Sequence, residues 1–205
     1  MLRIGLVMLQ GARHAHIAAL VAAADVSEID LEVIELRTPD DLQVTDLDGI
    51  VFPGGETTTM RLTGGPEGNG LLPALFEWLR ANPGCPVLAT CAGAILLADP
   101  QDGGEPLIDA TVSRNAYGNQ ADSFQADLRI NGLDEPKSAS EFPGVFIRAP
   151  RYDEVGDDST ITATHDDEVV GIRCGNRMAL AFHPELSDDR RFHRWLLETA
   201  QSVRT

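Results

Sequence analysis

Two short stretches hold residue types that could do covalent chemistry together. In "PVLATCAGAILLA" (86–98) one apolar run ends at Thr90 and a second, alanine-rich one starts at Ala92, with Cys91 between them. The first run reads as a buried strand and the second as a helix. A parallel strand that turns sharply into a helix lifts the residue at the bend above the sheet's carboxyl edge, where ligands bind in open α/β sheets. There the helix N-terminus favours negative charge and offers N–H groups to an oxyanion, so a thiol at the bend has the setting of a nucleophile. Ala92 and Gly93 keep the turn free of bulk.

A thiol nucleophile needs a base, and "AFHPEL" (181–186) contains one. The apolar run "MALAF" (178–182) ends there, so His183 emerges at a strand terminus, and Pro184 fixes the chain behind it. Glu185, two residues on, can fold back to orient the imidazole and stabilise its charged form. Among the other histidines, His193 falls in the last helix and reads as a surface residue, and His165 sits in the "THDDE" turn. His14 and His16 lie near the start of the first helix, with no chemistry assigned to either. Cys85 in "NPGCP" and Cys174 in "RCGN" have no base at a plausible place and read as structural. Three cysteines without a CxxC pair exclude a disulfide framework and zinc-type ligand spacing, and fit a reducing compartment.

The elements that must position these groups follow from the hydrophobic pattern. Strands are expected at 2–9, 31–36, 49–52 and 86–90, and helices at 14–24, 57–62 and 71–81. Strands separated by helices imply a parallel sheet covered on both faces. From "SFQADLRI" (123–130) the pattern alternates with period two, and 144–150, 160–165, 168–173 and 178–182 follow too closely for long helices between them. Those strands are expected to join the sheet antiparallel. The last helix is expected to start at Ser187 as N-cap, with Asp188 and Asp189 in its first turn. "LTGGPEGNG" (62–70) reads as a glycine-rich loop. "PGGETTTM" (53–60) is neither a Walker A loop nor a GxGxxG, yet it sets several N–H groups at a strand end running into a helix, a geometry that can hold an oxyanion.

At 205 residues the chain suits one α/β domain. No apolar run reaches the roughly 18 residues of a membrane span, and "MLRIGLVMLQG" reads as a core strand, so a soluble cytoplasmic protein is expected. Thirty-two acidic residues stand against 16 basic ones, only one of them lysine (Lys137), for a net charge of −16. Such a surface repels nucleic acid and anionic membranes, and spread along the chain it fits adaptation to high salt.

With Cys91 in "TCAG" and His183-Pro184-Glu185 in "FHPEL", the pattern resembles the class I, triad-type glutamine amidotransferases. "LQGA" (9–12), "PGGETTTM", "TCAGAILLA" (90–98), "SRNAYGNQADSF" (113–124), "GVFIRAP" (144–150) and "FHPELSDD" (182–189) follow the order and approximate spacing of the glutaminase subunits of pyridoxal 5'-phosphate synthase. The resemblance implies a single domain over 1–205 with a flavodoxin-like, three-layer α/β fold. It also implies hydrolysis of L-glutamine to glutamate and ammonia, with no cofactor or metal of its own. The ammonia would pass to a synthase subunit that combines it with a pentose phosphate and glyceraldehyde 3-phosphate. By position, Cys91 would be nucleophile, His183 base and Glu185 its orienter. Gly55, Glu56, Thr57, Arg114, Ile147 and Arg148 would bind glutamine, while Gln10, Gly54, Gly55 and Ala92 would lie at the oxyanion hole and synthase-facing side. His16 stands where the family usually has histidine. Departures are Thr57 for serine, Ala89 for the glycine before "TC", Asn119 in "GNQ" for "GRQ", and a longer 62–70 loop. Alternatives are a glutaminase serving another synthase, a glutamine-binding regulatory module with an idle triad, and a cysteine peptidase or stress chaperone on a related scaffold. Neither of the last two accounts for "RNAYG" and "FIRAP".

Overall fold

The structure is a computed structural model that describes residues 1–43, 46–114, 123–133 and 141–204. The first half runs β1 (Leu2–Val7), α1 (Arg13–Val26), β2 (Leu31–Leu36), β3 (Gly49–Phe52), α2 (Thr57–Gly64), α3 (Leu71–Ala81), β4 (Val87–Thr90) and α4 (Ala92–Ala98). The second half runs β5 (Ala110–Ser113), β6 (Phe124–Ile130), β7 (Glu141–Phe146), β8 (Arg151–Val155), β9 (Ser159–His165), β10 (Glu168–Cys174), β11 (Arg177–Leu180) and α5 (Arg191–Arg204).

One nine-stranded sheet has the order β2-β1-β3-β4-β11-β10-β9-β6-β7. From β2 to β11 every pairing is parallel, and from β11 onward every pairing is antiparallel. The two sequence patterns account for this division. β3 and β4 are buried at every position, as strands covered on both faces must be, whereas β6 alternates exposed positions with partly buried ones around a buried Leu128. α1 and α5 pack on each other, with α5 against β1, β3 and β4, while α4 lies against β4, β11 and α2. The strand order reverses between β1 and β3, which opens a crevice at the carboxyl ends of the parallel strands.

Four local expectations differ from the structure. α5 starts at Arg191, because Ser187 Oγ accepts the Asp189 N–H (3.0 Å) and the Asp189 carboxylate accepts the Arg191 N–H (3.0 Å), so both aspartates precede the helix. The strand expected at 144–150 ends at Phe146, since Arg148 takes a left-handed φ of 45° that leaves the sheet. β5 and β8 form a separate two-stranded sheet that was not anticipated; both are short, and β8 ("RYDEV") is rich in charge. His193 is fully buried, on the face of α5 that meets α1. The "GNQ" departure and most of "RNAYG" lie outside the described residues. Cys85 is a free thiol that burial pushes up to about 12, which suits an inert structural residue. Among the described residues, no helix is long and apolar enough to cross a membrane.

Candidate active site

The bend at Cys91 is as tight as its small neighbours require. Cys91 is the N-cap of α4, with φ 47° and ψ −109°, a conformation that costs a non-glycine residue about 1–3 kcal/mol. Its N–H donates to the Leu180 carbonyl (2.8 Å), which carries the β4–β11 pairing right up to the bend. A Cβ on Gly93 would overlap the Phe52 carbonyl at the end of β3, so only glycine lets the helix leave this close to the sheet. The Cys91 side chain is 5% exposed, and its Sγ donates to the Ile147 carbonyl at 3.9 Å.

His183 follows β11, the strand beside β4, so residues 92 positions apart in sequence emerge from adjacent strand ends. Its backbone N–H donates to Val145 of β7 (2.8 Å). Pro184 to Leu186 form one 3-10 turn, which brings Glu185 back so that its Oε1 lies 2.8 Å from His183 Nδ1. With the Nδ1 proton directed at the carboxylate, Nε2 is the nitrogen left for the thiol; it is buried and has no formed hydrogen bond among the described residues. Burial alone would push the His183 imidazolium down, but the Cys91 thiol and the Glu185 carboxylate outweigh it and lift the group to about 10. Burial would likewise raise the Glu185 carboxyl, but the hydrogen bond from His183 and the nearby His16 hold it below the ordinary carboxylate range.

A cleft of about 620 Å³ opens over this pair, lined by Gly55, Thr57, Cys91, Arg114, Arg148 and His183. Arg114 Nη1 donates to Thr57 Oγ1 (2.9 Å) and Thr58 Oγ1 (3.4 Å). Neither Arg114 nor Arg148 has a carboxylate partner among the described residues, and both line the cleft. Glu56 and Ile147 also line it. The Glu56 carboxylate, however, caps α2, accepting from the N–H groups of Thr58 (3.0 Å) and Thr59 (2.7 Å), which hold it at about 2. Outside the cleft lining, Gln10 Oε1 accepts the Glu56 N–H (2.6 Å) and sits so close over Gly55 that a Cβ there would meet it at 2.7 Å. Ala92 is buried at the first position of α4. A larger groove of about 930 Å³ beside β5 and β8 holds Cys174 but no imidazole in its lining.

The residues expected to act together are therefore brought to one crevice, apart from Gln10 and Ala92, which flank it, and Glu185, which is buried and reaches the cleft only through His183. Two buried histidines had no role from sequence: His16 on α1 and His193 on α5. The signal was present in the spacing. His16, Ala19, Leu20 and Ala23 recur as one buried face, as do His193, Leu196, Leu197 and Ala200.

Over residues 6–202 the chain matches the SNO glutamine amidotransferase family. The chain belongs to that family. Curated relatives named pyridoxal 5'-phosphate synthase subunit PdxT are similar to this chain over nearly their whole length. The one from Thermococcus onnurineus is 44% identical, covering 98% of this chain and 100% of its own length. The one from Haloquadratum walsbyi is 42% identical, covering 94% and 91%. A solved glutamine amidotransferase is 33% identical, with a TM-score of 0.75 over 97% of this chain and 98% of its own.

Proposed function

We propose that this chain is the glutaminase subunit of a pyridoxal 5'-phosphate synthase, a cytoplasmic single-domain protein that hydrolyses L-glutamine and passes the ammonia to its partner subunit. The observation that carries the reading is a strained thiol at a strand-to-helix bend whose adjacent strand ends in a His183–Glu185 pair. Family membership supports the substrate, and the PdxT names of the relatives support the partner.

In this reading Cys91 gives its proton to His183 and attacks the side-chain amide carbon of glutamine. The oxyanion is held by N–H groups at Gly54–Gly55 and at Ala92, the latter free because the first amides of a helix lack intrahelical acceptors. The tetrahedral adduct collapses, His183 returns the proton to the departing nitrogen, and ammonia leaves a γ-glutamyl thioester. Water, losing a proton to His183, attacks that carbonyl and releases glutamate and the thiol. Arg114 and Arg148 supply the positive charge that the substrate's α-carboxylate requires. Glu56 contributes through backbone and capping, since its carboxylate is already engaged.

Ammonia is lost easily to water, so the activity belongs in a complex. Gln10 clamps the peptide that follows Gly55, and docking of the synthase at that exposed glutamine would release it and complete the oxyanion hole. The acidic, nearly lysine-free surface supports work at high salt and disfavours nucleic acid and anionic membranes as partners. The deciding measurement is glutamate release with and without the synthase subunit, for wild type and Cys91→Ala. Turnover that requires both the synthase and the thiol is expected; equal rates without synthase, or retained turnover in Cys91→Ala, would overturn the assignment.

A further inference from the structure

Behind the His183–Glu185 pair lies a second pair of imidazoles that this reaction leaves unused. His16 and His193 are each 0% exposed. His16 Nδ1 is 3.3 Å from His193 Nε2, and His16 Nε2 is 3.4 Å from Glu185 Oε1, the same oxygen that faces His183 Nδ1. Three elements meet here: α1 with His16, α5 with His193, and the 3-10 turn with Glu185. We infer that His16 is a positioning residue for the glutaminase reaction, holding the Glu185 carboxylate through the same oxygen that faces His183, with His193 fixing the proton on the correct nitrogen of His16. The inference rests on the reading of Cys91, His183 and Glu185 given above.

The proton positions follow from which groups can donate. Burial pushes both His16 and His193 down, so each is neutral near pH 7 and carries one ring N–H. Glu185 is held ionised and can only accept. A lone pair of His16 Nε2 set against that carboxylate would be repelled, so the His16 proton belongs on Nε2. His16 Nδ1 is then an acceptor, and His193 must present Nε2–H to it. The donor sides thus face from His193 to His16 and from His16 to Glu185, while His183 donates to the same oxygen. At 3.4 Å His16 Nε2 is within hydrogen-bond distance of that oxygen but is not aligned on it and has no formed hydrogen bond among the described residues, so a small rotation of the ring completes the contact. The charged and titratable groups around the chain are few: His183 and His16 act on Glu185, Glu185 and His183 on His16, and His16 and Arg190 on His193.

A carboxylate in a buried site is kept in place and ionised by its donors. Glu185 Oε2 has no hydrogen-bond partner among the described residues, and the two imidazoles that face Glu185 both approach Oε1. If His16 only filled space between α1 and α5, an apolar residue of similar size would alter stability and leave the chemistry alone. A positioning role predicts the reverse.

The experiment compares His16→Leu, His16→Gln and His193→Gln with wild type, using the full chain together with its synthase subunit. Glutamate release gives kcat and KM against pH. On the free chain, the rate of Cys91 alkylation by iodoacetamide against pH reads the same triad without glutamine. His16→Leu is expected to lower kcat by about tenfold to a hundredfold, the scale of one lost charge-assisted hydrogen bond, with KM within about twofold. The acid limb of both profiles should move to higher pH, because a carboxylate that loses a donor takes up a proton more readily. His16→Gln, which restores an N–H donor, should recover most of the loss. A folded His16→Leu with kcat and acid limb unchanged overturns the inference. Should His16→Leu not fold, His193→Gln decides: a shifted alkylation profile supports the relay, and an unchanged one overturns it. Wild type that is alkylated normally but releases no glutamate with the synthase would instead overturn the glutaminase reading, and the alkylation profiles would still decide the role of His16.

Discussion

Gly54 leaves no room for a side chain beside His183: a Cβ added to it would stand 2.7 Å from Cε1 of the imidazole, and 3.1 Å from the Cβ of Cys91. The loop after β3 thus closes on the two groups carried by β4 and β11, and the missing side chain is what makes room for their approach. Gly54→Ala is expected to fold but to push the ring off its line to the thiol. A displacement of about 1 Å costs on the order of a hundredfold in rate, so glutamate release should fall by about that factor while circular dichroism and Tm stay near wild type. Unchanged kinetics would show that the ring has slack the geometry does not suggest.

The raised His183 imidazolium makes a stability prediction whose sign is fixed. Its value of about 10 in the folded chain stands above the ordinary 6.5, so folding favours the protonated form. The stability this lends is complete below about pH 6.5 and disappears as pH rises through about 10. Denaturant unfolding of wild type and His183→Gln across that range should give midpoints that differ most at pH 6 and converge by pH 10.

Arg114 and Arg148 face the cleft without an acidic partner among the described residues. Replacing a guanidinium that grips a carboxylate removes binding more than chemistry. Arg114→Gln and Arg148→Gln are expected to raise KM for glutamine by about tenfold to a hundredfold, the scale of charge-assisted hydrogen bonds, with smaller changes in kcat. The larger KM effect identifies the ligand of the α-carboxylate.

A net charge of −16 repels itself most strongly when salt is scarce. Thermal melts should show Tm rising by about 5 °C or more between 10 mM and 2 M KCl, as the screening length falls from about 30 Å to a few ångströms. A flat profile would mean that the acidic surface serves solubility alone.

Much of the site was legible because local pattern and position coincide. The strand-to-helix switch at Cys91 and the end of the apolar run before His183 are visible in a few residues each. Parallel and antiparallel halves of the sheet separate because a fully buried strand reads as a continuous apolar run and a half-exposed one alternates. What escaped depends on tertiary contact. By sequence His193 reads as a surface residue, because a histidine on a charged helix usually is one, and only the packing of α1 against α5 buries it. The left-handed Arg148 and the cap formed by Glu56 are products of the loop around the cleft, and their residue types alone do not announce them.

The place of β11, inserted between β4 and β10, has a consequence during synthesis. Until residues 177–183 have been translated, β4 keeps one edge open, and its four buried residues offer unpaired backbone groups to any neighbouring chain. A ribosome-bound or truncated polypeptide would therefore carry the Cys91 thiol before His183 exists, next to a sticky, unsatisfied strand. The thiol's neighbouring imidazole and protection from aggregation arrive together, with β11.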